Sequence, residues 1–110
     1  MIKIEVIGNL GENAKILTGD FKTFYTFDVA VSEKYRDTTG TLIERVTWIQ
    51  CSVNWDATNL LPFLTKGTKI YVRGTLKQKM YTTRENEQKS TLLCNVQELE
   101  LLGNAKKQTE

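Results

Sequence analysis

Along most of this chain apolar residues fall at every second position, the spacing of a strand with one face turned inward. "IKIEVIGN" sets Ile2, Ile4 and Val6 against Lys3 and Glu5, and ends at Gly8. "KTFYTFDVAVSE" places Tyr25, Phe27, Val29 and Val31 on one side and Thr26, Asp28, Ala30 and Ser32 on the other, with Phe24 as an exception. In "IERVTWIQCSVNW" the inward set is Ile49, Cys51, Val53 and Trp55; Trp48, Gln50, Ser52 and Asn54 face outward. "TKIYVRGTLKQKMY" is a fourth strand with Ile70, Val72, Gly74, Leu76 and Met80 inside, interrupted by Gln78. "TLLCNVQELELLG" is a fifth, and its phase breaks near Gln97, because the later leucines take the opposite parity.

The intervening segments lack this alternation. "LGENAKILTGD" reads as a loop, "KYRDTTGTL" as a hairpin turn or arm, and "TTRENEQKS" as a polar loop. In "DATNLLPFLTKG", Asp56 or Thr58 caps a short helix and Gly67 ends it, while Pro62 limits it to one or two irregular turns. Five strands with one short helix between the third and fourth is the element order of an all-β OB-fold, a five-stranded Greek-key barrel. The domain is expected over residues 1–103, with 104–110 a short polar end.

Composition narrows the chemistry. The 110 residues suffice for one domain with a modest core. There is no histidine, which excludes histidine triads, bases and metal ligands. No phosphate-binding glycine motif or close acidic cluster occurs, so no enzyme, cofactor or metal is expected. Cys51 and Cys94 form no CxxC and read as buried thiols. The chain opens directly on a strand pattern with no signal-peptide pattern, and no apolar run reaches membrane-spanning length. A cytoplasmic, nucleoid-associated location is expected.

The net charge is only +2, but Lys66 to Lys89 contains seven Lys or Arg against two Glu. The outward face of the fourth strand reads Lys69, Tyr71, Arg73, Thr75, Lys77, Lys79, Tyr81, cations interleaved with aromatics. Phosphates attract the cations, and unpaired bases offer π-faces to aromatics that duplex DNA conceals. Trp48, outward on the third strand among Gln, Ser and Asn, extends this surface. Trp55 is core by parity unless a bulge turns it out. A basic strand alone is commonly a solvated face, and a lone Tyr71 an edge or oligomer contact; an outward Trp beside both points to binding.

These segments resemble the bacterial single-stranded DNA-binding protein family. The carriers are "IGNLG" (7–11), "FDVAVSEKYRD" (27–37), "TWIQCSV" (47–53), "FLTKGTKIYVRGTLKQKMY" (63–81) and "NVQELELLG" (95–103). The resemblance spans Ile2 to Gly103, and the short, divergent version is similar to forms from the Bacteroides group or mobile elements. It implies an OB-fold, assembled as a homotetramer, that binds and protects single-stranded DNA in replication, recombination or repair without sequence preference. It places stacking aromatics at Tyr35, Trp48 and Tyr81. The family's fourth aromatic position falls on Asn54, with Trp55 next to it; either Trp55 takes the role or that stack is missing. Phosphate contacts map to Lys3, Arg36, Lys66, Arg73, Lys77 and Lys79. A family position often held by a tetramer-supporting histidine is Ile49 here, which leaves the packing of the oligomer open. Family members carry an acidic, phenylalanine-tipped tail that recruits replication enzymes. The ending "NAKKQTE" lacks that tip, so tail-mediated recruitment is not expected.

Two other readings compete. One is an OB-like protein-interaction module of a primosome-like assembly, with its aromatics as interface and weak DNA binding. The other is a carboxylate and metal hydrolase, which the scattered acids disfavour.

Overall fold

In the computed structural model, which describes residues 1–19 and 22–103, every expected strand is present. They are β1 (Lys3–Leu10), β3 (Thr23–Arg36), β4 (Leu42–Val53), β5 (Lys69–Thr82) and β6 (Gln88–Gly103). One more, β2 (Lys15–Thr18), lies in the segment expected to be a loop, and pairs antiparallel with β3. Its four residues are all exposed, and Ile16 and Leu17 adjoin, so no inward-outward alternation marks it in the sequence. The end 104–110 falls outside the described residues.

The strand order is β1-β5-β6-β4-β3-β2, and β1 also pairs with β3 at Asn9–Ala30 and Leu10–Val29. β1 therefore runs along β5 from Lys3 to Asn9 and meets β3 with its last two residues, which closes the sheet on itself. β4 and β6 run parallel; the other pairs are antiparallel. This is the OB-fold order, with the first strand interrupted at Gly11–Ala14.

Two glycines make the closure sterically feasible. A Cβ on Gly8 would overlap the Ala30 carbonyl oxygen, where β1 crosses β3. A Cβ on Gly74 would overlap the Asn95 carbonyl oxygen. The β5–β6 register slips between Arg73 and Gly74, leaving Gln97 as the extra residue. That bulge is the phase break expected at Gln97, and it returns Leu99 and Leu101 to the core side.

The core is the inward row of the five long strands, Val6, Phe27, Val29, Ile49, Val53, Ile70, Val72 and Val96 among them. Cys51 and Cys94 are register partners across β4 and β6, both buried free thiols. The neighbouring Cys94 sulfur and burial hold the Cys51 thiol well above the ordinary range, so it stays protonated.

One sequence expectation holds here and two need correction. The helix is a single 3-10 turn, Leu61–Phe63, within the one or two irregular turns expected, because Pro62 has no N–H to extend a longer one. Gly67 does end this segment, at φ 89°, and Asp56 caps a turn by accepting from Thr58 N (3.1 Å) and Thr58 Oγ1 (2.6 Å). Met80 is 60% exposed rather than interior, because β5 and β6 run past the barrel as a two-stranded arm. Trp55 is 37% exposed rather than core: β4 ends at Val53, and parity has no meaning beyond the last paired residue.

A thiol reagent is expected to label neither cysteine in the folded protein and both after denaturation. Rapid labelling of either thiol in the native state would contradict this packing.

Candidate nucleic-acid interface

Cross-strand register assigns each candidate to a face. The rung Lys77–Leu93, Leu93–Gln50, Gln50–Asp28 crosses β5, β6, β4 and β3 on the outside of the barrel. Trp48 and Lys79 are each two residues along their strands from this rung, and so point outward too. Strands lie about 4.8 Å apart, so two strand spacings, about 10 Å, separate the β4 row from the β5 row. Trp48, Lys77 and Lys79 thus share one wall. Tyr81, paired with Lys89, extends it along the β5–β6 arm. Arg36 lies on the same face at the tip of the β3–β4 arm, where its guanidinium donates to the Gly40 carbonyl (3.0 Å).

Trp48 is 55% exposed, and one side of its ring has a close neighbour. Its six-membered ring lies on Gly11, where a Cβ would come within 2.5 Å of Trp48 Cζ3 and 2.8 Å of Cη2. Gly11 is itself fixed by donating its backbone N–H to the Asp28 carbonyl (3.0 Å). The same loop holds the Lys66 segment: Asn13 Oδ1 accepts the Lys66 backbone N–H (2.8 Å), and the Leu10 carbonyl accepts from Gly67 (2.8 Å). Lys66 is thereby tied to the loop that seats Trp48.

Other candidates stand apart from this wall. Tyr35 has the opposite parity to Trp48 in an unbroken β3–β4 ladder, so it faces the other side of the arm. There the Arg45 guanidinium lies 5.7 Å from its ring centroid. Arg73 is ion-paired with Glu98 (2.7 Å), and the Tyr71 hydroxyl donates to Glu5 (2.7 Å). That bond, given to a carboxylate, raises the Tyr71 pKa and keeps its proton in place. Arg73 and Tyr71 are therefore already engaged with carboxylates, whereas Lys3, in register with Thr75, has no ion pair among the described residues. Asn54 and Trp55 lie beyond the end of β4, bordering a pocket of about 350 Å3 with Thr23, Tyr25, Asp56 and Thr58.

Sequence reasoning passed over Lys34 and Lys89, which register places on the wall, and Gly11. Both lysines fell in segments expected to be a turn or a loop, where parity says nothing, and nothing local flagged Gly11. No group of three or more His, Cys, Asp or Glu that could hold a metal ion occurs among the described residues. No helix among them is long and apolar enough to cross a membrane.

The OB barrel thus presents an exposed tryptophan among lysines on one outer face. The chain belongs to the single-strand binding protein family, whose model matches residues 1–102. It is 35% identical over 107 residues to the single-stranded DNA-binding protein of Onion yellows phytoplasma, covering 93% of this chain and 94% of that one. Against single-stranded DNA-binding protein 1 of Xylella fastidiosa the identity is 31%, over 92% and 76% of the two chains. In three dimensions it is similar to the Plasmodium falciparum SSB in complex with ssDNA: TM-score 0.72, 25% identity, 94% and 95% covered. The small single-stranded DNA-binding protein of Streptomyces coelicolor shares the fold, with TM-score 0.74 at 20% identity over 91% and 93% of the chains.

Gly11→Ala should leave the barrel folded but lift the Trp48 ring off its seat. In a Trp55→Phe background, the remaining tryptophan emission should shift to the red and become more open to a collisional quencher. Unchanged quenching would mean that Gly11 does not hold the ring.

Proposed function

We propose that this protein binds and protects single-stranded DNA in replication, recombination or repair, without catalysis and with little reading of sequence. The observation that carries the proposal is the exposed Trp48 ring, seated against Gly11, on the wall that also presents Lys77 and Lys79. Bases stack on Trp48 and, further along, on Tyr81; lysines meet the phosphates between them. Arg36 and Lys66 lengthen the cationic track. Tyr35, with Arg45 behind it, takes a base on the reverse of the β3–β4 arm, where a strand passing over the arm would reach it. Arg73 contributes less than the family resemblance implies, because Glu98 already neutralises it, while Lys3 keeps the phosphate contact the resemblance gives it.

The whole OB-fold domain, residues 1–103, acts as one binding unit in the cytoplasm, in an assembly of identical copies, most simply a tetramer. Support for assembly comes from β1: its edge away from β5 is unpaired from Lys3 to Gly8 among the described residues, and Ile2 and Ile7 stand exposed beside it. Sedimentation of the free protein should give four copies; a monomer at micromolar concentration would remove this part of the proposal.

Trp48→Ala should weaken binding to oligothymidine by on the order of 1–3 kcal/mol, measured by titration. Removing Lys77 and Lys79 together should lower the slope of log affinity against log salt by roughly 0.7 for each phosphate that is no longer neutralised. A folded Trp48→Ala protein with unchanged affinity would favour the interaction-module reading, with Trp48 covered by a protein partner.

A further inference from the structure

We infer that Ser32 is a positioning residue: by holding the Glu44 carboxylate, it leaves Lys34 free to meet phosphate on the β3–β4 arm. The inference rests on the single-stranded DNA reading above and adds two residues to it. Lys34 lies on the wall between Trp48 and the tip of the arm. Trp48 is opposite Ala30, so Lys34, four residues further along β3, stands about 13 Å from it along the arm, and Arg36 about 20 Å. A DNA strand that runs from Trp48 to Arg36 passes over Lys34.

One carboxylate, Glu44, stands beside that path. It is the register partner of Lys34 and the diagonal neighbour of both Ser32 and Arg36. Directly opposite residues have their Cβ atoms about 5 Å apart, within reach of an ion pair. No such pair forms here: the only ion pair among the described residues is Arg73–Glu98. Glu44 Oε2 instead accepts from Ser32 Oγ (2.8 Å), a charge-assisted hydrogen bond. Val46, opposite Ser32, has no polar side-chain group to compete for that hydroxyl.

The rest of the arm follows the same rule. The Arg36 guanidinium donates to the Gly40 carbonyl (3.0 Å) and not to Glu44. Asp37, next to Arg36 in the chain, accepts from Thr39 N, Thr39 Oγ1 and Thr41 N. Glu33, of opposite parity, lies on the other side of the arm with its partner Arg45. Neutral hydroxyls and amides thus hold Glu44 and Asp37, and the two cations of the outer face keep their charge for a ligand. A lysine already paired with a carboxylate must give it up to reach phosphate, and so releases fewer counterions from DNA than a free one. Without the Ser32 hydroxyl, the Glu44 carboxylate can turn onto Lys34.

The salt dependence of binding reads this directly. Affinity for oligothymidine would be measured at several salt concentrations by anisotropy of a labelled strand. Ser32→Ala should lower the slope of log affinity against log salt by roughly 0.7, the value of one phosphate contact on a single strand. Ser32→Thr, which keeps the hydroxyl, should leave the slope at the wild-type value. Glu44→Gln alone should also leave it there, and added to Ser32→Ala should restore it. Lys34→Ala should lower the slope by the same amount as Ser32→Ala, with no further loss when the two are combined. An unchanged slope in folded Ser32→Ala or Lys34→Ala, or a loss in Ser32→Ala that Glu44→Gln does not restore, would overturn this role while leaving DNA binding intact. A wild type that binds no oligothymidine would overturn both readings.

Discussion

The barrel depends on the point where β1 leaves β5 and meets β3. Gly8 lies so close to the Ala30 carbonyl that no side chain fits between them. Through this contact the last two residues of β1 pair with β3, and the sheet becomes a closed wall with an inside. Everything downstream inherits that position. Leu10 then bonds to Gly67 and Thr68, which ties the connection before β5 to β1. Gly11 follows at once and bonds to Asp28, directly under the Trp48 ring. A displaced crossing would move the core and the tryptophan seat together.

Closure also divides the polar surface into two kinds. On the β1, β5 and β6 patch, charges satisfy one another: Arg73 with Glu98, and Tyr71 with Glu5. Exposed pairs of this sort add little stability, but they occupy groups that would otherwise meet a ligand. On the β3, β4, β6 and β5 wall, Lys77, Lys79 and Lys89 have no carboxylate within ion-pair distance among the described residues. Two lysines and an arginine on a single strand thus have different chemistry, decided by which neighbours the fold supplies.

The two arms and the barrel end extend this wall in different ways. β3–β4 and β5–β6 both continue beyond the barrel, so their outer residues, Tyr35 and Tyr81 included, sit on ribbons exposed on two sides. Asp37 caps the first ribbon by accepting from Thr39 N (2.9 Å), Thr39 Oγ1 (2.7 Å) and Thr41 N (2.9 Å). At the barrel end, Trp55 lies where strand pairing has stopped. Its surroundings are polar and acidic, unlike those of Trp48.

Period-two alternation made the five long strands, the inward rows, the Gln97 phase break and the outward Trp48, Lys77 and Lys79 legible in the sequence, because each is a property of one strand. The family likeness was legible for the same reason, as it resides in the order of those strands. β2 escaped because it buries nothing and so leaves no alternation. Met80 and Trp55 were misplaced because parity says which way a residue points only while the partner strand is present, and pairing length is set by the neighbour. Tertiary structure alone decided that Glu98 would neutralise Arg73, that Tyr35 would face away from Trp48, and that Gly11 would lie under the indole. Each is a meeting of residues distant in sequence or a relation between strands, and only the closed barrel fixes which of them come together.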